Sequence, residues 1–262
     1  MFSLQFGQLE TWIASFFWPF FRIASFFMIA PIFGSNLVNP RTKIALAFLI
    51  TLAIYPTLDT LPKIDLLSLN AVLITIQQII IGVSLGLFLQ LLFALFVTAG
   101  QMIAMQMGLG FAAMVDPNNG ISSTVISQFY LMLTTMLFIA FDGHLVVMEI
   151  FISSFSQMPI AISLLESDFL QMLLDALSWM FASALLIALP AICSVFLVNV
   201  SFGIITRASP QFNVFAIGFP FTMLIGLIAV WISLSGIVDN FEQLCRDLFS
   251  MLRQLIGLGE GE

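Results

Sequence analysis

Residues 66–120 read LLSLNAVLITIQQIIIGVSLGLFLQLLFALFVTAGQMIAMQMGLGFAAMVDPNNG, with no Lys, Arg, Asp or Glu before Asp116. A run that apolar belongs in hydrocarbon or inside protein, and it far exceeds the ~20 residues with which a helix crosses a bilayer core. Its far end is built to leave helical geometry. Gly108 and Gly110 relieve the steric bar on positive φ, and Asp116-Pro117 followed by Asn118-Asn119-Gly120 is dense turn chemistry. Irregular backbone at membrane depth is tolerated only where protein buries it or it lines a cavity. The break is therefore the first place to look for function.

Composition fixes the class. The 262 residues are 61% hydrophobic and 8% charged, with mean hydropathy +1.13, whereas a soluble domain carries about 25% charged residues. So little polar surface cannot coat a water-soluble globule of this length, and the fold class is all-α, a polytopic integral membrane-type helical protein. The 29 Phe suit lipid contact or packing between helices. A net charge of −7 argues against binding nucleic acid or an anionic membrane surface. Cys193 and Cys245 make no disulfide framework, and His144, the single histidine, makes no metal site. The first residues, MFSLQFGQLE, lack the basic region of a cleavable signal peptide, so the apolar segments are expected to direct targeting.

Six apolar segments are expected, over residues 12–33, 44–58, 69–99, 125–141, 176–205 and 212–235. The third and fifth are long enough to tilt, kink or project, and the second and fourth are short for a span. Asn39 caps a helix with Pro40 in its first turn, and Ser209-Pro210 repeats the device. Ser122 or Ser123 is expected to cap the helix leaving the glycine-rich break, and Ser167 or Asp168 to start another. Pro190 and Pro220 lie inside apolar runs, where each predicts a kink or a break. Gly82 and Gly86 have the spacing that lets two helices approach closely. Arg41, Lys43, Lys63, Arg207, Arg246 and Arg253 do not fall on alternate loops, so they set no orientation.

The C-terminal stretch differs in kind. Ile237, Phe241, Leu244, Leu248, Met251 and Leu255 follow alternating steps of four and three, a heptad seam, with Asp239, Glu242, Arg246, Asp247 and Arg253 on the other face. Such a helix either packs on the edge of its own protein or docks another subunit. The domain reading is a helical membrane domain over 1–236, an amphipathic helix over 237–256 and a disordered tail, GLGEGE, over 257–262.

Several residues could carry chemistry. Arg207 is the only charge between Asp175 and Asp239; the Ser209-Pro210 helix start places it in a turn, where Gln211 and Asn213 can bond across subunits. Asp142-Gly143-His144 invites a proton-relay reading, but a helix-ending glycine explains it more simply. Met102, Met105, Met107, Met114 and Phe111 crowd the break. They are either core filling or a soft seal, since thioethers and an aromatic ring can close a pore by dewetting and yield to a passing chain. Gln77, Gln78, Gln90, Gln101, Gln106, Gln128 and Asn199 recur inside apolar runs, which suits a subunit packed among other helices or one lining a wet path.

Three stretches resemble the FliR family: QMGLGFAAMVDPNNG at 106–120, DGHL at 142–145 and NVSFGIITRASPQFNVFAIGFP at 199–220. FRIASFFMIAPIFG at 21–34, followed by NPRTKIALA, is similar to that family's first helix. The resemblance covers nearly the whole chain, with wording closer to flagellar than to injectisome members. It implies kinked helical hairpins packed with partner subunits in a spiral assembly, much of it above the expected membrane plane, in the bacterial inner membrane at the flagellar basal body. It implies a structural and gating subunit of the flagellar type III export channel, with FliP, FliQ and FlhB as partners. Unfolded flagellar substrates would pass through, and neither enzymatic activity nor a cofactor is implied. Carried onto this chain, the plug is Met105, Gln106, Met107, Gly108, Leu109, Gly110, Phe111, Met114, Asp116 and Pro117. The residues expected to pack between subunits are Arg207, Pro210, Gln211, Asn213, Phe219 and Pro220.

Two other classes compete. A stand-alone secondary transporter fits the broken helices, but the sequence offers no inverted repeat and no acidic residue within an apolar run. An intramembrane enzyme lacks a metal-ligand cluster and any recognisable nucleophile–base motif.

Overall fold

A computed structural model describes residues 6–31, 39–58, 68–109, 124–160, 168–209 and 214–257. Among these are eight α-helices: α1 (Phe6–Ile29), α2 (Pro40–Ile54), α3 (Leu69–Gln106), α4 (Val125–Ala140), α5 (Gly143–Gln157), α6 (Asp168–Ala208), α7 (Val214–Ser233) and α8 (Ile237–Leu255). Short 3-10 turns follow α2 at Tyr55–Thr57 and α7 at Leu234–Gly236. No strand occurs among the described residues.

Several helix boundaries follow local chemistry. Asn39 Oδ1 accepts the Arg41 N–H at 3.0 Å ahead of Pro40, as the sequence predicts. The cap of α4 is Thr124, whose Oγ1 accepts the Ser127 N–H at 3.2 Å; Ser122 and Ser123 lie outside the described residues. At the corner between α4 and α5 it is Asp142, not Gly143, that takes the left-handed conformation (φ 53°), and Gly143 opens α5 rather than ending a helix. Aspartate tolerates this region better than most side chains. Both α6 and α7 continue through their prolines, Pro190 and Pro220, so neither marks a broken helix. Each proline removes one N–H, and the intact turns on either side hold the helix together.

Three described helical runs are long and apolar enough to cross a membrane: Leu69–Gln106, Phe169–Ala208 and Ile217–Leu255. The pair α4 and α5 makes a fourth if counted as one broken span. Of the six expected segments, the second and fourth are short as expected, since α2 has 15 residues and α4 has 16 where a straight span needs about 20. In contrast, α3 with 38 residues and α6 with 41 would each measure over 50 Å at roughly 1.5 Å per residue, well beyond a hydrocarbon core of about 30 Å.

Contacts divide the chain into two units: Met1–Leu91 with Asp142–Ala176 and Asp247–Glu262, and Leu92–Phe141 with Leu177–Arg246. In the first, α1 lies against the glycine face of α3. A Cβ on Gly82 would run into Ser25 Oγ and the Arg22 carbonyl, and one on Gly86 would stand 3.2 Å from the Phe26 carbonyl oxygen. This is the close approach expected of the small-xxx-small spacing. Phe16 packs on Phe48 of α2, with ring centroids 5.1 Å apart, and Phe26 on Phe151 of α5 at 4.6 Å.

In the second unit, Gly100 performs the same service for the start of α4, where an added Cβ would lie 2.6 Å from Ser127 Cα. Phe93 meets Phe138 at 5.4 Å, and Phe241 of α8 meets both Phe96 (5.9 Å) and Phe141 (6.0 Å). Along α8, Ile237, Phe241, Leu244, Leu248 and Leu255 are buried and Met251 is half-buried. The heptad seam therefore packs on this chain. Its polar face carries an exposed Glu242–Arg246 ion pair at 2.6 Å, which adds little stability.

The glycine notch separates two otherwise identical changes. Gly82→Ala should destabilise the protein by about 1–3 kcal/mol, because the new methyl meets backbone. Gly203→Ala, where nothing lies within 4 Å, should stabilise it by roughly 0.5–1 kcal/mol through helix propensity. Thermal unfolding in detergent measures both, and shifts of the same sign would contradict the notch.

Candidate functional site

The glycine-rich break begins with a defined helix end. The Gly108 N–H bonds the Met105 carbonyl and the Leu109 N–H bonds the Ala104 carbonyl, each at 3.0 Å, with Gly108 at φ +83°. This paired closure is a Schellman motif, which satisfies the last carbonyls of α3 and places a left-handed residue where only glycine is unstrained. The reading of Gly108 as a positive-φ residue is borne out.

The helix end is seated on α7. The Phe219 ring lies over Gly108, with Cε2 2.8 Å from where a Cβ would stand. Met107 is buried, and its side chain fills the notch at Gly226, where a Cβ would lie 2.5 Å from Met107 Cγ and 2.6 Å from its sulfur. Beside this contact is an open groove of about 610 Å³, lined by Met105 to Gly108, by Asn199 and Phe202 of α6, and by Phe219 and Thr222 of α7. Its surface is thioether, aromatic and amide, with no charged side chain in the lining.

The structure thus joins residues from both expected groups. Met105 is exposed, Gln106 and Leu109 are half-buried, and Met107 is the anchored member. Gly110, Phe111, Met114, Asp116 and Pro117 lie outside the described residues. Of the second group, Phe219 meets Gly108 directly, whereas Pro220 is exposed within α7. Arg207 is exposed in the last turn of α6, where a cation complements the helix dipole. Pro210, Gln211 and Asn213 lie outside the described residues. Among the polar residues of the apolar runs, Gln78 is buried, while Gln90, Gln128 and Asn199 are exposed. Both cysteines are free thiols, and no three His, Cys, Asp or Glu side chains gather among the described residues.

One residue escaped the sequence reading. Arg22, the only charge between Glu10 and Arg41, is fully buried. Its Nε donates to Gln78 Oε1 at 2.7 Å, one terminal nitrogen to the Ser154 carbonyl at 2.9 Å, and the other to the Met158 carbonyl at 2.7 Å. The guanidinium carbon stands 4.4 Å from the centroid of the Phe155 ring. None of these acceptors carries a charge. The available signal was a lone arginine in a phenylalanine-rich helix, costly on insertion scales by about 2.5–3.5 kcal/mol and therefore tolerated only with partners.

The Met107 anchor makes a double-mutant prediction. Met107→Ala should cost about 2–4 kcal/mol as a cavity. Gly226→Ala should destabilise the wild-type protein by about 1–3 kcal/mol, yet be neutral or mildly stabilising once Met107→Ala has cleared the notch. Strict additivity in thermal unfolding would contradict the contact.

Comparison with known proteins agrees with this architecture. The sequence matches bacterial export proteins, family 1, over residues 13–248. It is 36% identical over 256 residues to the flagellar biosynthetic protein FliR of Pectobacterium carotovorum subsp. carotovorum, covering 98% of each chain. Against the protein of that name from Escherichia coli (strain K12) it is 35% identical over 250 residues, 95% of each chain. For that of Bacillus subtilis (strain 168) the identity is 27% over 245 residues, 91% of this chain and 94% of the relative. The chain therefore belongs to bacterial export proteins, family 1, the family of flagellar biosynthetic protein FliR.

Proposed function

We propose that this chain is a structural and gating subunit of the flagellar type III export channel, contributing to its entrance pore and carrying its plug. Family membership over nearly the whole length makes the chain a flagellar export apparatus subunit, and its long apolar helices make it membrane-associated. The observation that carries the finer reading is the root of the break. The Schellman closure at Gly108, the buried Met107 and the overlying Phe219 fix where the glycine-rich segment leaves α3. A loop held firmly at its root and rich in glycine beyond it suits a seal that moves without unfolding the helix below.

In this reading Phe111 and the methionines of the break close the pore by excluding water, and an unfolded chain displaces them by apolar contact. The exposed apolar surfaces of α6 and α7, including Leu186, Leu197, Leu227 and Trp231, face lipid or partner helices. Exposed Asn199 on α6 favours a partner helix there, since an amide gains more from a hydrogen bond than from lipid. FliP, FliQ and FlhB are the proposed partners, unfolded flagellar subunits the cargo, and the bacterial inner membrane the location. Arg207, Pro210, Gln211, Asn213, Phe219 and Pro220 are the residues proposed to pack between subunits.

Phe111→Ala, or deletion of residues 108–112, should raise ion leakage of the assembled channel about tenfold or more while leaving assembly intact, because an apolar constriction holds water out only while its side chains fill it. Ion flux into membranes holding the variant measures it, and normal tightness would remove the plug assignment. Arg207→Ala combined with Gln211→Ala should lower recovery of the complex, and full recovery would argue against the interface.

A further inference from the structure

We propose that Arg22 is a latch that makes the seating of α1 on α3 conditional on a completed C-terminal turn of α5. The Gly82 notch sits beside the Arg22 carbonyl itself, so α1 cannot settle onto α3 without carrying the guanidinium into the interior. Within α1 its neighbours one turn away are Trp18, Pro19, Ser25 and Phe26, and the Ser25 hydroxyl donates to the Arg22 carbonyl at 3.0 Å rather than bonding the guanidinium. Its described side-chain partners all come from elsewhere in the chain.

Helix α3 offers one of them. Gln78 turns its Oε1 toward Arg22, and its buried Nε2 has no partner among the described residues. The remaining partners belong to the end of α5. They are the Ser154 carbonyl, the Ser154 hydroxyl at 3.3 Å, the Met158 carbonyl and the Phe155 ring. The carbonyls at a helix C-terminus lack intrahelical partners and carry the negative end of the dipole. Here the turn is formed, since the Met158 N–H bonds the Ser154 carbonyl at 2.9 Å, and Arg22 caps it from another helix. A cation can be buried here because the Met158 carbonyl accepts from it beyond the last helical bond and the Ser154 carbonyl has a second lone pair to offer. The Met158 acceptor lies 136 residues after Arg22, so the partner set is incomplete until α5 has been made. Lysine cannot replace the latch: one ammonium does not span three acceptors on two helices as a planar guanidinium does.

The test uses the full chain carrying Cys193→Ala and Cys245→Ala, with Ser25→Cys as the only thiol. Ser25 is buried beside Gly82, so its maleimide labelling rate reports whether α1 is seated. Ser154→Pro, which breaks the end of α5, should accelerate labelling tenfold or more. In combination with Arg22→Met, which removes the charge, or Gln78→Glu, which supplies a counter-charge from α3, the same change should accelerate labelling less than twofold. Equal acceleration in all three backgrounds would overturn the proposal and leave α5 as ordinary packing. If the Ser154→Pro chain is not recovered, the comparison of Arg22→Lys with Arg22→Met, both with α5 intact, decides. Faster labelling with lysine supports the latch, and equal or slower labelling overturns it.

Discussion

The buried guanidinium of Arg22 is the interaction on which the first unit depends. It draws on Gln78 of α3 and on the last turn of α5 at once, from a phenylalanine-rich helix. Removing an ion from water is expensive, and the expense is recovered only when each donor finds an acceptor in good geometry. Here each of the three guanidinium nitrogens finds a neutral acceptor, at Gln78, Ser154 and Met158. Aromatic packing among Phe26, Phe151 and Phe155 then encloses the site. Directional bonds fix which faces meet, and apolar contacts fill the space around them.

Helix α3 supplies the second constraint, through glycines placed where something must come close. Gly82 and Gly86 admit α1, Gly100 admits the start of α4, and Gly108 ends the helix under the Phe219 ring. A helix without a charged residue has few ways to specify its neighbours. Notches that only one partner backbone can enter are one of them. The same helix thus carries packing information along most of its length and ends at the segment to which we assign the seal.

Much of this was legible in the sequence because it was local. The Asn39-Pro40 cap, the spacing of Gly82 and Gly86, the heptad of α8 and the positive φ at Gly108 each follow from neighbouring residues. What was missed depends on distant partners or on competing local signals. Arg22 looks like an isolated charge until Ser154 and Met158 are brought to it. Helix α5 was not among the expected segments because GHLVVMEIFISSFSQ mixes a histidine, a glutamate and four serines or glutamines with its apolar residues. Asp142 took the left-handed position beside a glycine that seemed the better candidate, since Gly143 is needed as the buried first residue of α5. Pro190 and Pro220 were read as kinks or breaks, and of these the break is excluded, since the helix continues past each. At the site, the pairing of Gly108 and Met107 with α7 could not be read from spacing, because 111 residues separate Gly108 from Phe219 (219 − 108 = 111).

The central claim is that this chain works as one subunit of a membrane export channel. Co-expression with FliP, FliQ and FlhB, mild detergent extraction and native mass determination test it most directly. The account predicts a defined heteromeric particle that contains this chain. A monodisperse monomer that ignores all three partners would contradict it.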